Sequence, residues 1–497
     1  MGLSPLSIVT TKDIEHGKQA LIHDGAWANV VGALTSGVLL VGFALELGAP
    51  DSIIGVLAAI PFVSQLAQLP AIWLVERLRR RKAITVLAAT ISRVTILGLA
   101  VLAFLPDAEV ALGLLIPAQI LICALGAVGT CAWNSWIHDL LPKEGLGDFF
   151  ARRLFWATGL GMTANLLAGL LIDHAPAMLG PDGRRAAYAA VFVLGAVAGF
   201  ISSYWLTRVP ERAMRDSGAT TRSINPVALM REPLRERNFR RLILFMASWN
   251  FATNLAAPFI TVYLVQQLGF GLGFVVTLAA LSQLANLATL QWWGVIADRF
   301  SNKSVLAVCA PVFLACIFAL PYTHTPQTHV LTVPMLIGIH ILMGGAAAGI
   351  GLATGSIGLK LAPEGQATSY LATNGLIGAL AAGVAPILGG TLSEWFSDKQ
   401  LSLVIHWGTS DRAAEIVAMQ LRHWDFFFAL AFLLGLYAVL RLQKIEEAGE
   451  VGERRVVREF MLEAQRSVRN LSTVAGLRVI TRAPIGRLVT GRSEEKR

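Results

Sequence analysis

The chain has 497 residues, of which 55% are Ala, Val, Ile, Leu, Met, Phe, Trp, Tyr or Cys and only 15% are charged. Soluble domains carry about 25% charged residues, so this composition argues against a soluble enzyme. Apolar runs long enough to cross a bilayer predict an all-α polytopic membrane protein instead. The net charge is +9, and contact with anionic lipid headgroups explains this without a nucleic-acid partner.

Twelve apolar runs, separated by charged or Pro/Gly-rich breaks, predict twelve transmembrane helices, numbered here as spans 1 to 12. Each run can cross a hydrocarbon layer of about 30 Å at about 1.5 Å per residue. In chain order the predicted spans are residues 20–48, 52–75, 83–105, 110–137, 154–174, 186–207, 242–268, 271–297, 304–321, 330–354, 369–396 and 424–442.

Lys and Arg are distributed unevenly between the two sides of this predicted bundle. If the amino terminus is cytoplasmic, 35 of the 41 Lys and Arg fall on the cytoplasmic side, five fall outside, and Arg93 lies within span 3. An excess of Lys and Arg marks cytoplasmic loops. We therefore expect an integral protein of the cytoplasmic (inner) membrane, with both termini cytoplasmic and anionic headgroups around its basic face.

The two halves of the sequence align when one is shifted by 221 residues, so that spans 1, 4 and 5 recur as spans 7, 10 and 11. The aligned pairs include Asn29 with Asn250, Gln119 with His340, and Asp173 with Glu394. The repeat predicts two six-helix bundles in the same orientation. The predicted units are an N-terminal bundle (1–207), a basic linker (208–241), a C-terminal bundle (242–443) and a basic tail (444–497).

The loop after span 8 carries a family motif. Residues 294–303 read Gly-Val-Ile-Ala-Asp-Arg-Phe-Ser-Asn-Lys, which resembles the signature G-x-L-A-D-R-x-G-x-K of the major facilitator superfamily. Residues 74–82, after span 2, are a degraded copy with Glu76 in place of the aspartate. With the span count and the repeat, the resemblance covers residues 20–443. It implies two parallel-repeat six-helix bundles that rock around a central site, and it does not specify a substrate.

The resemblance also gives a role to the charged pairs of these loops, Glu76 with Arg77 and Asp298 with Arg299. Such a carboxylate can meet a helix N-terminus of the other half, and the arginine can pair across the same seam. These four residues are therefore candidates for a cytoplasmic gate. The alternative is a solvated turn whose charges only fix the topology.

Few polar side chains lie deep in the predicted spans. Arg93 is near mid-depth, where a cation costs about 2.5–3.5 kcal/mol on insertion scales. It is either an anion contact or a structural arginine paired within the bundle. The resemblance places Gln119 and His340 on the wall of a central cavity, together with spans 1 and 7. Uncharged groups on those two spans either line this cavity or hold helices together. They are Asn29, Thr35, Ser36, Trp249, Asn250 and Asn254.

Two side chains are candidates for proton coupling. The imidazole of His340 can gain and lose a proton near neutral pH, although a buried histidine is often only hydrogen-bonded. Asp24 lies at the start of predicted span 1, where protonation would change the cost of burying it. A carboxylate there is also favoured by the helix N-terminus without any function.

The tail after span 12 has apolar residues at helical spacing with arginines between them, over about residues 454–471. This pattern predicts a basic amphipathic helix. It either anchors the chain at the inner leaflet or acts as a regulatory plug under the cytoplasmic mouth.

These observations predict a secondary active transporter that moves a small neutral, weakly anionic or amphipathic solute by alternating access, with proton coupling as an option. The alternative is a transporter-like protein that handles lipid or pigment, or assists membrane-protein assembly, without pumping. We expect no enzyme, because no catalytic cluster is recognisable. We also expect no cofactor and no metal, since the four cysteines lie in apolar runs without metal-ligand spacing. The expected partners are the solute and the bilayer, and the expected state is a monomer.

Overall fold

The computed structural model describes residues 5–6, 9–142, 146–214, 226–324, 330–363, 367–409 and 412–471. Within this part of the chain, twelve helical segments are long and apolar enough to span a membrane, as the sequence predicts. Their bounds are Thr11–Glu46, Asp51–Leu78, Arg81–Leu102, Ala108–Leu140, Leu146–Leu179, Gly183–Arg208, Arg237–Gln267, Leu272–Arg299, Asn302–Ala319, Thr332–Leu361, Ala367–Phe396 and His423–Leu442.

The spans form two bundles with the same arrangement. In the N-terminal half, span 1 packs against spans 5 and 6, and span 3 packs against spans 4 and 6. In the C-terminal half, span 7 packs against spans 11 and 12, and span 9 packs against spans 10 and 12. The six-span repeat expected from the 221-residue shift is therefore present in the fold.

Spans 1, 2 and 7 each depart from a continuous α-helix. Span 1 consists of two helices, Thr11–Thr35 and Gly37–Glu46, separated at Ser36, which is extended. Gly37 has a φ of 58°, a conformation that glycine adopts without the cost of a Cβ. Span 2 contains the 3₁₀ turn Ser64–Ala67, and span 7 ends in the π turn Tyr263–Gln267. The hydropathy pattern predicts none of these breaks.

The segment between spans 11 and 12 forms an antiparallel hairpin, which the sequence analysis did not predict. Strand Gln400–Thr409 pairs with strand Arg412–Arg422, with a shift in register between Leu403 and Val404. The hairpin lies on the face of the protein opposite to the one at which span 1 begins and span 12 ends. We call the face with these two ends and the Arg-rich loops the basic face, and the other the opposite face.

At the basic face, a buried carboxylate joins two segments within each half. We call each of these contacts a brace. Glu211, after span 6, accepts a hydrogen bond from the Arg81 N–H at the start of span 3 (2.7 Å). Glu447, after span 12, accepts bonds from the backbone N–H groups of Asn302 (3.2 Å) and Lys303 (2.7 Å) at the start of span 9. Burial raises the pKa of Glu211, whereas its bonds to Arg81 act in the opposite direction. These carboxylates satisfy N–H groups that have no partner within their own helix.

The predicted tail helix is present as Glu453–Leu471. It packs under the C-terminal half, where Phe460 stacks on Trp293 with ring centroids 4.4 Å apart. Glu459 pairs with Arg299 at 2.7 Å. The side chains beyond Arg466 lie outside the described residues. The tail helix is therefore joined to the motif loop after span 8.

The brace in the N-terminal half predicts a large loss of stability in Glu211→Ala. The Arg81 side chain, 1% exposed, has its Nε 3.6 Å from Glu211 and also pairs with Asp139. Because Arg81 keeps that second partner, we expect the loss of one charge-assisted bond, about 1.5–3 kcal/mol. We expect a thermal unfolding midpoint several degrees lower for purified protein in detergent, followed by tryptophan fluorescence. Glu15→Ala is the control, since that carboxylate is 66% exposed. Equal midpoints for the two variants would contradict the brace.

Candidate functional site

A cavity of about 340 Å³ lies between the halves at the break in span 1. Its walls come from spans 1, 2, 4, 7 and 11, and its polar lining includes Ser36, Gln119 and Asn254. All three are predicted binding residues. Gln119 is 2% exposed, and its amide oxygen has no hydrogen-bond partner in the described part of the chain. We call this space the central cavity.

The helix break places backbone donors on the wall of the same cavity. Gly37 and Val38, in the first turn of helix Gly37–Glu46, line the central cavity. The Ser36 side chain does not cap this turn, and the first N–H groups of a helix lack partners within the helix. The central cavity can therefore offer both hydrogen-bond donors and acceptors to an uncharged polar solute.

A second space between the halves, of about 350 Å³, is formed by spans 1, 5 and 8. Asn29, a predicted binding residue, lines it together with Asn165 and Gln283. The absence of a side chain at Gly161 makes room for Asn29, since a Cβ there would lie 2.2 Å from the Asn29 amide oxygen. The sequence analysis missed Asn165 and Gln283, although both are uncharged polar residues inside predicted spans.

A third space, of about 330 Å³, lies within the N-terminal half and contains buried charges. Asp24, 3% exposed, accepts a hydrogen bond from Ser202 (2.7 Å) and lies 3.6 Å from Arg153. Arg93 lines the same space. We call it the charged chamber. Sequence reasoning singled out Asp24 and Arg93, but it counted Arg153 only among the basic residues that set the topology.

The remaining predicted binding residues line none of these three spaces. The side chains of Thr35, Asn250 and His340 each contact a backbone carbonyl four residues earlier in their own helix, at 2.8 Å. Trp249 is 5% exposed, and its ring centroid lies 6.0 Å from that of Phe313 in the core of the C-terminal half. Their roles in binding stay predictions.

Two carboxylates join the halves at the opposite face. Asp173 on span 5 accepts bonds from the backbone N–H groups of Leu272 (2.9 Å) and Gly273 (2.7 Å), at the start of span 8. Glu394 on span 11 accepts one from the Ser52 N–H, at the start of span 2 (2.9 Å). The two contacts are equivalent under the 221-residue shift. We call them the seam contacts.

Glycines let the backbones approach closely at this seam. A Cβ at Gly55 on span 2 would lie 2.1 Å from the carbonyl oxygen of Pro386 on span 11. A Cβ at Gly169 on span 5 would lie 3.0 Å from the Cα of Gly273 on span 8. The halves are therefore tightly packed on the opposite face.

The predicted gate residues do not join the halves in this conformation. Arg77 lies over the Trp73 ring of its own span, 5.0 Å from the ring centroid, and Arg299 pairs with the tail helix at Glu459. Glu76 and Asp298 are exposed. Their role as a gate stays a prediction for a state in which the basic face closes.

Comparison with known proteins agrees with this architecture. The chain is similar in fold to a D-xylose-proton symporter (TM-score 0.64, 14% identity, covering 88% of this chain and 99% of that one). It is also similar to the nucleoside transporter NupG (0.61, 11%, 88% and 99%) and to a POT family transporter in complex with 5-aminolevulinic acid (0.60, 14%, 87% and 97%). A search of curated proteins found no match. The family model of the Major Facilitator Superfamily matches residues 25–386, so the chain belongs to this superfamily.

Proposed function

We propose that the protein is a secondary transporter that moves a small solute across the cytoplasmic membrane by rocking its two halves around the central cavity. The observation that carries this proposal is the symmetric pair of seam contacts, at Asp173 and Glu394. They close the opposite face, whereas the gate residues of the basic face do not join the two halves in this conformation. The excess of Lys and Arg assigns the basic face to the cytoplasm, so this conformation corresponds to a state open to the cytoplasm.

The chemistry of the seam contacts suits a switch. Each is a charge-assisted hydrogen bond, worth about 1.5–3 kcal/mol, made to a helix N-terminus rather than to a buried side-chain cation. Separation of the halves returns both the carboxylate and the N–H groups to water, so no charge is left buried without a partner. Formation of the gate by Glu76, Arg77, Asp298 and Arg299 would compensate for this loss in the other state.

The central cavity is the proposed solute site. Ser36, Gln119 and Asn254 supply uncharged hydrogen-bonding groups from both halves, so a bound solute contacts each half as they rock. A neutral, weakly anionic or amphipathic solute fits this lining. The unpartnered amide oxygen of Gln119 provides an acceptor for a donor group of the solute, because buried polar atoms are normally hydrogen-bonded.

We assign proton coupling to Asp24. Its carboxylate faces Arg153 on span 5, Arg93 on span 3 and Ser202 on span 6, and the chamber lining from span 4 is uncharged. The distance of 3.6 Å to Arg153 is longer than a good charge-assisted bond. Protonation of Asp24 would therefore break a weak ion pair. His340, in contrast, is bound to a carbonyl of its own helix.

The transport function is tested with purified protein in liposomes, using a panel of sugars, nucleosides and small organic acids. We expect counterflow of at least one solute. The variant Gln119→Leu should lose that flux, because leucine has a similar side-chain volume but lacks the amide group. Val193→Leu, on an exposed apolar position of span 6, is the matched control and should keep full flux. Lack of counterflow for every solute would instead favour the lipid-handling or assembly alternative.

Asp173→Asn is expected to shift the protein toward the state open at the opposite face. The amide can still accept a bond from a backbone N–H group, so the variant loses only the difference between a charge-assisted and a neutral bond, about 1–1.5 kcal/mol. This corresponds to roughly a fivefold to tenfold change in the conformational equilibrium. The measurement is labelling of Ala257→Cys, on the central cavity wall, by an impermeant thiol reagent added from the opposite face.

The matched control for this experiment is Asp107→Asn. Asp107 also caps a helix at the opposite face, by accepting from the Glu109 N–H at 2.9 Å, but that helix belongs to its own half. It should leave labelling unchanged. If both aspartate variants were labelled at the wild-type rate, the seam would not control the conformation.

Asp24→Asn is expected to abolish accumulation driven by a pH gradient while counterflow at constant pH continues. The amide cannot carry the proton, but it can still accept the bond from Ser202. His340→Gln should retain both activities. Accumulation by Asp24→Asn at the wild-type level would disprove the assignment of proton coupling to this residue.

A further inference from the structure

We propose that the charged chamber binds the carboxylate of a small monovalent organic anion, and that such anions are therefore the substrate class of this protein. The chamber is defined by Asp24, Arg93, Arg153, Ser202 and Trp133. This inference rests on the transport function proposed above and narrows it to one kind of solute.

The charges of the chamber are unbalanced. The chamber holds two guanidinium groups, Arg93 and Arg153, against one carboxylate, Asp24. Both guanidinium groups are partly buried, and a cation that has lost part of its contact with water is stabilised by a partner of opposite charge. The excess of one positive charge is met by a single anion bound in the chamber.

Both arginines of the chamber have hydrogen-bond donors that the protein itself does not use. Each guanidinium has five N–H donors in a fork that matches a carboxylate. The Nε of Arg93 is buried without a partner among the described residues, and its Nη1 makes only a 3.5 Å contact, with Ser92. Arg153 donates to the Leu21 carbonyl at 3.2 Å and lies over the Trp133 ring at 5.0 Å. Both arginines therefore retain donors for an anion.

The fold does not need the charges of the chamber. Arg93 on span 3 packs against Gly199 on span 6, where a Cβ would lie 2.2 Å from its Cδ. In the C-terminal half, Leu314 on span 9 packs against Gly435 on span 12 in the same way, at 2.1 Å. A leucine thus fills the place of the arginine in the other bundle.

The other two charged residues of the chamber also have uncharged counterparts in the C-terminal half. The 221-residue shift pairs Asp24 with Phe245 and Arg153 with Asn374. A bundle of this architecture therefore forms without the buried charges. Their presence in one half alone indicates a function that is specific to that half.

Exposed residues of span 4 give a solute access to the chamber. Gly126, Thr130 and Asn134 of span 4 line the chamber and are exposed. Their spacing places them on the helix face that also carries Gln119 of the central cavity. Span 1 also lines both spaces, with Asp24 in the chamber and Ser36 in the central cavity. The chamber and the central cavity thus share the walls made by spans 1 and 4, and a volume of about 330 Å³ is sufficient for a small organic acid.

The test measures thermal unfolding of the purified full-length protein in detergent, with matched pairs of acid and amide: acetate with acetamide, lactate with lactamide, and benzoate with benzamide. We expect at least one acid to raise the unfolding midpoint by several degrees in a saturable manner, while its amide does not. Arg93→Gln and Arg153→Gln should each weaken the apparent affinity at least about tenfold, the loss expected for a charge-assisted bond. Arg93→Lys should retain part of it.

Two further variants separate binding from damage to the fold. Asp24→Asn removes the competing carboxylate and should strengthen acid binding several-fold, which a structural defect would not do. Arg184→Gln is the charge-matched control, since Arg184 lies at the opposite face, 3.5 Å from Glu46. It should leave the affinity unchanged.

The outcomes distinguish this inference from the proposed function. Equal effects of acids and amides, or acid binding that survives Arg93→Gln and Arg153→Gln, would overturn the anion site. Stabilisation only by phosphatidylglycerol added to the detergent, and by none of the free acids, would assign the chamber to a lipid headgroup and also overturn it. Counterflow of an uncharged solute with no anion binding would leave the transport function standing.

Discussion

A carboxylate bound to the N-terminus of a helix is the interaction on which this structure depends. Glu211 and Glu447 make it within a half, and Asp173 and Glu394 make it between the halves. Inside a half, the acid fixes a connecting segment to the bundle. Between halves, the same kind of bond joins one bundle to the other. One chemical contact thus stabilises each bundle and also holds the two bundles together at the opposite face.

The sequence predicted the architecture well because periodic features encode it. Span number and repeat follow from hydropathy and residue pattern, which are averaged over many residues. The breaks were missed because each depends on one local conformation, as at Gly37. The contacts of Asp173 and Glu394 could not be predicted, because their partners are backbone N–H groups, which no side-chain pattern reveals. Their equivalence under the 221-residue shift was the available signal. The partner of Asp24 also remained hidden, since Arg153 is 129 positions away in the chain.

The two bundles share a fold but differ in chemistry. The N-terminal half contains the charges of the chamber, Asp24, Arg93 and Arg153, whereas the corresponding region of the C-terminal half contains the buried side chains of Phe245 and Leu314. The C-terminal half also contacts the tail helix, through Trp293 and Phe460. The uncharged polar residues of the central cavity, in contrast, come from both halves.

The break at Ser36 and Gly37 divides span 1 into two rods with different neighbours. The rod Thr11–Thr35 carries Asp24 and packs against spans 5 and 6 of the N-terminal half. The rod Gly37–Glu46 packs against spans 7 and 8 of the other half and against span 6, where the ring centroids of Phe43 and Phe192 lie 5.0 Å apart. A continuous helix bonds its interior N–H groups to its own carbonyl groups. The break instead creates a second helix N-terminus within span 1, whose partial positive charge faces the central cavity at Gly37 and Val38.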